Sequence, residues 1–330
     1  MKKLLSITLL CVMLFSTLSL FSCNTPAPTN SNGYKVALDL TDEWNKISNG
    51  TKLVQGCVVI RKEFAEQNPG AVSAFLDEYK SSIEYTNANP NEAGELIEKY
   101  GIDSNSEIAS MAIPNCNIAY MEGSAMKDSL SAFLTAMHSI APASVGNKLP
   151  SDDFYYTRND TVEKTGTTIN VATLNGTTGY GMAKLMEDAS TNTTTNNYSF
   201  NVVSDPTMII AGLANGSIDI GALPTNAASN VYNKTNGKVQ ALAINTLGVL
   251  YVLDKTDSVK SLADLEGKTI YAPAQNPTFI LKYILAANNI NATIDSTTYS
   301  SPNALETAAE NGLVDIAVLP EPKVSNVMNK

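Results

Sequence analysis

Two stretches of the chain are close copies of each other and decide the fold. The first reads NGSIDIGALPTNAASNVYNK (215–234), the second reads NGLVDIAVLPEPKVSNVMNK (311–330), and they are identical at 11 of 20 positions without a gap. Each predicts a short buried strand, Ile218–Leu223 or Val314–Leu319, then a loop that begins at a proline, and then a helix. The chain therefore contains a duplicated strand–helix unit.

The similarity extends towards the N-terminal side of each copy. Ile169–Leu174 and Thr269–Ala274 are short apolar runs, and each precedes a polar turn and a further helix. Each repeat thus has the order β-α-β-α-β-α, which builds a parallel sheet with helices on both faces. We predict an α/β protein of two lobes, each a mixed, mainly parallel sheet flanked by helices.

The order of the segments is unusual. After the first copy the chain continues through an apolar strand, 239–244, and a second extended run, 247–253. The second copy ends at Lys330, and the counterparts of these two runs are found near the start of the chain, at 36–40 and 53–60. This order predicts a circular permutation in which the end of the second copy was once joined to about residue 30. A natural gene, an assembly artefact and an engineered gene are all compatible with it.

The predicted domain boundaries follow from these segments. We divide the chain as follows: lobe 1, 53–156 and 166–257; lobe 2, 34–52 and 258–330; and a linker between the old termini, 157–165. The hinge strands are predicted near 56–60 and 247–253. The segment 68–146 is predicted to be helical, because it begins with a proline and its apolar residues recur at helical spacing.

Residues 1–22 have the form of an export signal peptide, with Lys2 and Lys3 before an apolar run. The sequence LFSC (20–23) resembles a bacterial lipobox, which implies a lipid-modified Cys23; the alternative is an ordinary secretory signal. Residues 23–33 are typical of a flexible tether. No later stretch is apolar for long enough to span a bilayer. We therefore predict an extracytoplasmic lipoprotein anchored to the membrane, at the cell surface or the periplasmic face.

Composition excludes several classes of function. Acidic residues outnumber basic ones 32 to 22, which argues against a nucleic-acid partner. Arg61 and Arg158 are the only arginines, so a multi-arginine phosphate clamp is excluded. One histidine, His138, and two cysteines beyond the leader, Cys57 and Cys116, are too few for a zinc or iron–sulfur site, and we expect no cofactor. The two cysteines form either a disulfide or two packed thiols.

In unpermuted order the chain resembles the solute-binding proteins of ABC importers. The resemblance is closest to the nitrate/sulfonate/taurine-type branch, which also contains binders of thiamine-pyrimidine precursors. It is carried by NGTTGYGMAKL (175–185), SLADLEGKTI (261–270), VLPEP (318–322), GCVVIRKEF (56–64) and NPGAVSAFLDEY (68–79). It implies a two-lobed, type II periplasmic-binding-protein-like fold, in which a hinge closes the lobes over a ligand.

The ligand site is predicted at the carboxyl ends of the strands, where ligands of open α/β sheets bind. The predicted ligand-binding residues lie in four loops: Asn175, Gly176, Thr177, Thr178, Thr225 and Asn226 in one lobe, and Gln275, Asn276, Thr278 and Glu321 in the other. Their amides and hydroxyls would hold a sulfonate or carboxylate, whereas Glu321 would accept from an amine-bearing or heterocyclic ligand. Such threonines and asparagines also serve as simple helix caps.

The resemblance implies a non-enzymatic substrate-binding subunit, expected to be a monomer. It would capture a small organic solute, such as a sulfonate, a taurine-like compound or a heterocyclic vitamin precursor, and deliver it to a permease driven by a separate ATPase. The chain has no GxxxxGK phosphate-binding loop of its own. One alternative is a lipoprotein that presents its ligand to a sensor or another partner. The other is an enzyme on the same scaffold, which would need histidine and a metal.

Overall fold

A computed structural model of the protein describes residues 33–158 and 166–330. The predicted signal peptide, the lipidation site Cys23, the tether up to residue 32 and residues 159–165 of the predicted linker lie outside the described residues. Within the described ranges, no helix is long and apolar enough to cross a membrane.

The described chain alternates between strands and helices. The strands are β1 (Lys35–Asp39), β2 (Gly56–Arg61), β3 (Ile118–Met121), β4 (Thr168–Leu174), β5 (Asn197–Val203), β6 (Ile220–Pro224), β7 (Val239–Thr246), β8 (Leu250–Asp254), β9 (Thr269–Tyr271), β10 (Thr293–Asp295) and β11 (Ile316–Pro320). The helices are α1 (Leu40–Ile47), α2 (Lys62–Gln67), α3 (Pro69–Ala88), α4 (Pro90–Lys99), α5 (Ser106–Ala112), α6 (Gly123–Ile140), α7 (Thr177–Tyr180), α8 (Ala183–Ser190), α9 (Pro206–Asn215), α10 (Thr225–Lys234), α11 (Asn276–Ala287), α12 (Pro302–Glu310) and α13 (Lys323–Met328).

The strands form two mixed sheets. The five-stranded sheet has the order β10-β9-β11-β8-β1, and the six-stranded sheet has the order β5-β4-β6-β2-β7-β3. In both, the first three strands are parallel and the fourth, β8 or β2, runs antiparallel to its two neighbours. The first five strands of the two sheets therefore have the same order and direction. The predicted α/β fold with two mixed sheets and flanking helices is confirmed.

The chain passes between the sheets in two described segments. Residues 48–55 lead from α1, beside the five-stranded sheet, to β2 in the six-stranded sheet. Residues 247–249 lead back from β7 to β8. The two segments touch, because the Val249 amide donates a 2.6 Å hydrogen bond to Gln55 Oε1. The predicted hinge strand 56–60 lies wholly within the six-stranded sheet, so the crossing falls just before it.

The segment 68–146 is helical in most of its length, but its prediction as wholly helical was wrong. Ile118–Met121 forms the edge strand β3, which pairs antiparallel with β7. In this segment α3 and α6 pack on the six-stranded sheet, and α6 also reaches α11 beside the other sheet. Trp44 is buried at this junction, with its ring centroid 5.8 Å from that of Phe133 and 5.0 Å from that of Tyr283.

The two cysteines of the described chain are free and fully buried. Cys57 lies in β2, and Cys116 follows α5 at the start of the turn that leads into β3. Of the two alternatives that the sequence leaves open, the structure shows packed thiols. His138 lies in the last turn of α6, where its Nε2 is 3.3 Å from the main-chain oxygen of Asn147.

Candidate ligand-binding site between the two sheets

Four predicted loops follow the carboxyl ends of parallel strands, two loops in each sheet. In the six-stranded sheet, β4 leads into Thr177 and β6 leads into Thr225; in the five-stranded sheet, β9 leads into Asn276 and β11 leads into Glu321. Thr177 Oγ1 donates a 2.7 Å hydrogen bond to the main-chain oxygen of Glu321. This contact brings the strand ends of the two sheets together, with both residues buried.

The turns after β4 and β9 have the same backbone form. Gly176 precedes α7 with a φ of 84°, and Gln275 precedes α11 with a φ of 69°. A positive φ costs glycine little, whereas a side chain with a Cβ is strained there. The equivalence makes Thr177 and Asn276 the matching first residues of their helices. The sequence comparison, which pairs 169–174 with 269–274, would place Gly176 opposite Asn276. The structure therefore shifts the alignment of these loops by one residue.

Glu321 is a buried carboxyl group without a cationic partner among the residues that the structure describes. It is 4% exposed, and its oxygens accept hydrogen bonds from Ser325 N at 3.0 Å and Ser325 Oγ at 3.1 Å. The Asn115 side chain also lies within hydrogen-bonding reach. Burial raises the pKa of Glu321 to about 7, because these neutral donors only partly replace the water that the charged form loses.

Two other polar atoms at the strand ends are buried and lack a well-formed hydrogen bond. Asn276 Oδ1 has no partner, and the residue is 8% exposed. Thr225 Oγ1 is likewise unsatisfied, although the Cys57 thiol lies beside it. Buried polar groups in folded proteins are nearly always paired, so each such atom requires an explanation.

The remaining predicted residues have more ordinary surroundings. Thr278 Oγ1 donates to the main-chain oxygen of Pro273 at 2.8 Å, so this hydroxyl stabilises its own turn, as the helix-cap alternative expects. The amide of Gly176 donates to Ile102 O at 2.9 Å and is also occupied. Asn175 and Gln275 are exposed, whereas Asn226 is buried. Ligand contact by any of the ten residues stays a prediction.

The structure adds residues to this region that the sequence prediction missed. Asn245, near the end of β7, is 1% exposed and donates from Nδ2 to the main-chain oxygen of Thr178 at 3.0 Å. Its Oδ1 accepts from Thr246 Oγ1 at 3.2 Å. A lone asparagine in a buried apolar strand was a signal that could have identified it.

Tyr180, which follows the first predicted loop, and Cys116 lie outside the ten predicted ligand-binding residues. The Tyr180 hydroxyl donates to Asp103 Oδ2 at 2.8 Å. Cys116 Sγ lies 3.8 Å from Thr177 Oγ1, and burial, with the negative charge of Glu321 nearby, raises the pKa of its thiol. Cys116 reaches the site from a distant part of the chain, so no local sequence pattern marks it.

Two surface cavities of the described chain lie away from these loops. One, of about 700 Å³, lies between β5 and α9 and includes Phe200 and Met208 in its lining. The other, of about 340 Å³, lies between Lys148 and Lys234. Between the two sheets, Thr177 is in direct contact with Glu321. In the part of the chain that the structure describes, no group of three or more histidine, cysteine or acidic residues is arranged to hold a metal.

Family comparisons match the two parts of the chain separately. Residues 180–329 match the family described as "ABC transporter, phosphonate, periplasmic substrate-binding protein". This segment is similar to an ABC-transporter substrate-binding domain. Residues 28–136 match a family described as "Menaquinone biosynthesis". The predicted resemblance to ABC substrate-binding proteins is thereby confirmed, and no curated protein matches the chain.

Two solved structures share partial similarity with the chain. An ABC transporter from Parabacteroides distasonis is 22% identical, with a TM-score of 0.35, over 50% of this chain and 56% of that chain. The alkanesulfonate-binding protein SsuA from Xanthomonas axonopodis pv. citri, bound to MOPS, is 16% identical, with a TM-score of 0.33, over 49% of this chain and 57% of that chain. The chain thus spans a little over half the length of each of these two proteins.

Proposed function

We propose that the protein is the extracytoplasmic substrate-binding subunit of an ABC importer. It captures a small organic solute between its lobes and delivers the solute to a permease driven by a separate ATPase. One observation carries the proposal. Two sheets with the same strand order touch where their parallel strands end, through the hydrogen bond between Thr177 and Glu321, and most of the polar residues at those ends are buried.

Capture requires that the lobes separate and close again. Residues 48–55 and 247–249 are the connections that would bend, because 247–249 joins strands of different sheets and 48–55 joins α1, beside one sheet, to β2 in the other. In the closed state, Glu321 N donates to Val249 O at 3.0 Å, which links the site to one connection directly. A solute that contacts both lobes binds the closed state more tightly and shifts the population towards it.

We also propose the circular permutation that the sequence predicts. In the six-stranded sheet, the repeat β4-β5-β6 is followed along the chain by β7, which lies beyond the antiparallel strand β2. In the five-stranded sheet, the repeat β9-β10-β11 has β1 in the place of β7. That strand comes from residues 35–39, before both repeats, which supports an exchange of segment order.

The membrane anchor is the remaining part of the proposal. A lipid on Cys23 and a tether up to residue 33 would hold the protein, as a monomer, outside the membrane and beside its permease. Expression in a lipoprotein-processing bacterium with labelled fatty acid tests the anchor. We expect label on the protein and none on the Cys23→Ser variant; label on both, or on neither, would contradict the lipid anchor.

A thermal-shift screen tests solute binding. The chain from residue 24 onward is melted with taurine, alkanesulfonates, nitrate, aminopyrimidines, purines and riboflavin. Binding to the folded state raises the melting temperature by mass action, with about 2.7 kcal/mol of stabilisation at 100 times the Kd. With a compound that binds, small-angle scattering should be described by the closed conformation alone. Cooperative melting without a shift from any compound counts against the proposal.

A further inference from the structure

The two repeats create two matching pairs of residues across the lobes. Thr177 and Asn276 are equivalent, because each is the first helical residue after a positive-φ turn. Thr225 and Glu321 are equivalent, because each follows the proline of the duplicated sequence. Thr177 and Glu321 form one cross-lobe pair, joined by a hydrogen bond. Exchanging each of these residues for its equivalent in the other repeat gives the second pair, Asn276 and Thr225.

This second pair is incomplete. Asn276 Oδ1 and Thr225 Oγ1 are the unsatisfied buried atoms at the strand ends, one in each lobe. Asn276 is 8% exposed and Thr225 is 1% exposed, so both residues are more than nine-tenths buried. Asn276 Oδ1 can only accept a hydrogen bond, so its partner must be a donor, whereas the Thr225 hydroxyl can donate or accept. A solute with an N–H or O–H group would supply that donor.

The charges around the site favour the same kind of solute. Glu321 is buried with neutral partners, and Asp103 binds the Tyr180 hydroxyl on the lobe opposite Glu321. The four strand-end loops contain no lysine or arginine. The two arginines of the chain pair with carboxylates elsewhere, Arg61 with Asp219 and Arg158 with Asp77. An oxyanion would therefore meet the carboxyl groups of Glu321 and Asp103 without a lysine or arginine of these loops to balance its charge.

We infer that the solute is a neutral or cationic compound that carries N–H donors, such as an amine or an amino-substituted heterocycle, rather than a phosphonate or sulfonate. Its donor groups bind Asn276 Oδ1 and Thr225 Oγ1, and Glu321 faces its positive or donor-rich part. This inference rests on the proposed function, because it assigns the substrate class of the same interlobe site.

Matched probes test the substrate class. Calorimetric titration of the chain from residue 24 onward compares 4-aminopyridine with pyridine-4-sulfonate, and ethylamine with ethanesulfonate and ethylphosphonate. We expect heat of binding from the amino compounds and none from the sulfonates or the phosphonate. Binding of the oxyanions alone would overturn the inference and leave solute capture standing. If neither these probes nor the compounds of the thermal-shift screen bind, solute capture fails as well.

Two variants test the contacts. Asn276→Ala removes an atom that accepts no hydrogen bond in the described chain, and Thr225→Val removes a hydroxyl whose neighbour is the Cys57 thiol, so we expect the melting temperature to change little in either variant. The affinity for the amino compound should fall about tenfold in each, the value of one hydrogen bond. Asn303→Ala, at an exposed asparagine of α12, is the matched control. Unchanged affinity in both variants, or a lowered melting temperature that accounts for the loss, would overturn the assignment.

Discussion

Gly176 and Gln275 occupy the same place in the two repeats and both have a positive φ, although only one of them is glycine. A residue with a Cβ is strained in this conformation. The fold keeps the same turn in both lobes, because each turn directs a helix start at the interlobe region.

Replacing Gln275 by glycine should therefore stabilise the protein. We expect Gln275→Gly to raise the free energy of unfolding by about 1 kcal/mol, since relief of strain outweighs the added freedom of the unfolded chain. Gly176→Ala, the opposite change at the equivalent position, should lower it. Urea denaturation of both variants measures these effects. A destabilised Gln275→Gly protein would show that the Gln275 side chain makes a contact worth more than the strain.

The hydrogen bond between Thr177 and Glu321 should hold the empty lobes together. Thr177→Val removes the donor while keeping the shape of the side chain, at a cost of about 1 kcal/mol to the closed state. We expect a larger radius of gyration by small-angle scattering in the absence of solute. Thr178→Val is the matched control, because the structure joins Thr178 to Asn245 through its main-chain oxygen. Equal radii of gyration for the two variants would contradict the prediction that the Thr177 hydrogen bond holds the lobes together.

Glu321 should make stability fall as the pH rises. Its pKa is about 7 in the folded protein and about 4.5 in the unfolded chain, so the folded state binds the proton more tightly. This contribution is fully present below pH 4.5 and is lost as the pH rises through 7, by an amount on the order of 3 kcal/mol.

The Glu321→Gln variant isolates this effect from that of other carboxyl groups. We expect the difference in unfolding free energy, wild type minus variant, to decrease between pH 4 and pH 8 and to level off outside that range. Thermal or urea unfolding at closely spaced pH values measures it. A difference that stays constant with pH would show that Glu321 has an ordinary pKa.

Gly248 should be intolerant of a side chain. A Cβ at this position in the 247–249 connection would lie 2.3 Å from Thr41 Oγ1 and 2.8 Å from Leu53 Cδ2. Gly248→Ala should lower the free energy of unfolding by about 1–3 kcal/mol, as expected for overpacking. Adding Thr41→Ala should restore part of the loss, because Thr41 Oγ1 has no hydrogen-bond partner. Denaturation of the single and double variants checks this, and a fully stable Gly248→Ala protein would contradict it.

Cys57 and Cys116 should be unreactive in the folded protein. Burial raises the pKa of the Cys57 thiol to about 12 and raises that of Cys116 as well, so little thiolate forms at neutral pH. Titration of the chain from residue 24 onward with an aromatic disulfide reagent should detect almost no thiol before denaturation and about two afterwards. Rapid reaction of the native protein would indicate that the site opens.

Much of the fold follows from the duplicated sequence. The buried strands before Pro224 and Pro320 have a strong apolar signal, and they became β6 and β11 at the centres of their sheets. The strand β3 was missed, because it is a short, half-buried edge strand between helices. Its four residues carry no alternation strong enough to stand out from the helical pattern around them.

The candidate site was harder to predict than the fold. Strand ends can be located from the repeat, which places Thr177 and Glu321 in the right region. The sequence does not show that Thr278 binds its own turn, or that Asn245 and Cys116 reach the same region from other elements. Those positions depend on long-range packing, which local patterns do not encode.

The position of β1 has a consequence for folding as the chain emerges, N-terminal part first, during synthesis or export. In the sheet, Val36 of β1 pairs with Leu253 of β8, which emerges more than 200 residues later. The sheet is complete only when β11, residues 316–320, has emerged as well. The six-stranded sheet has all its strands once Thr246 has been made. Local and early contacts form faster than late ones. The six-stranded sheet should therefore fold first. During that time β1 is an unpaired strand, which a chaperone would have to protect from wrong pairing.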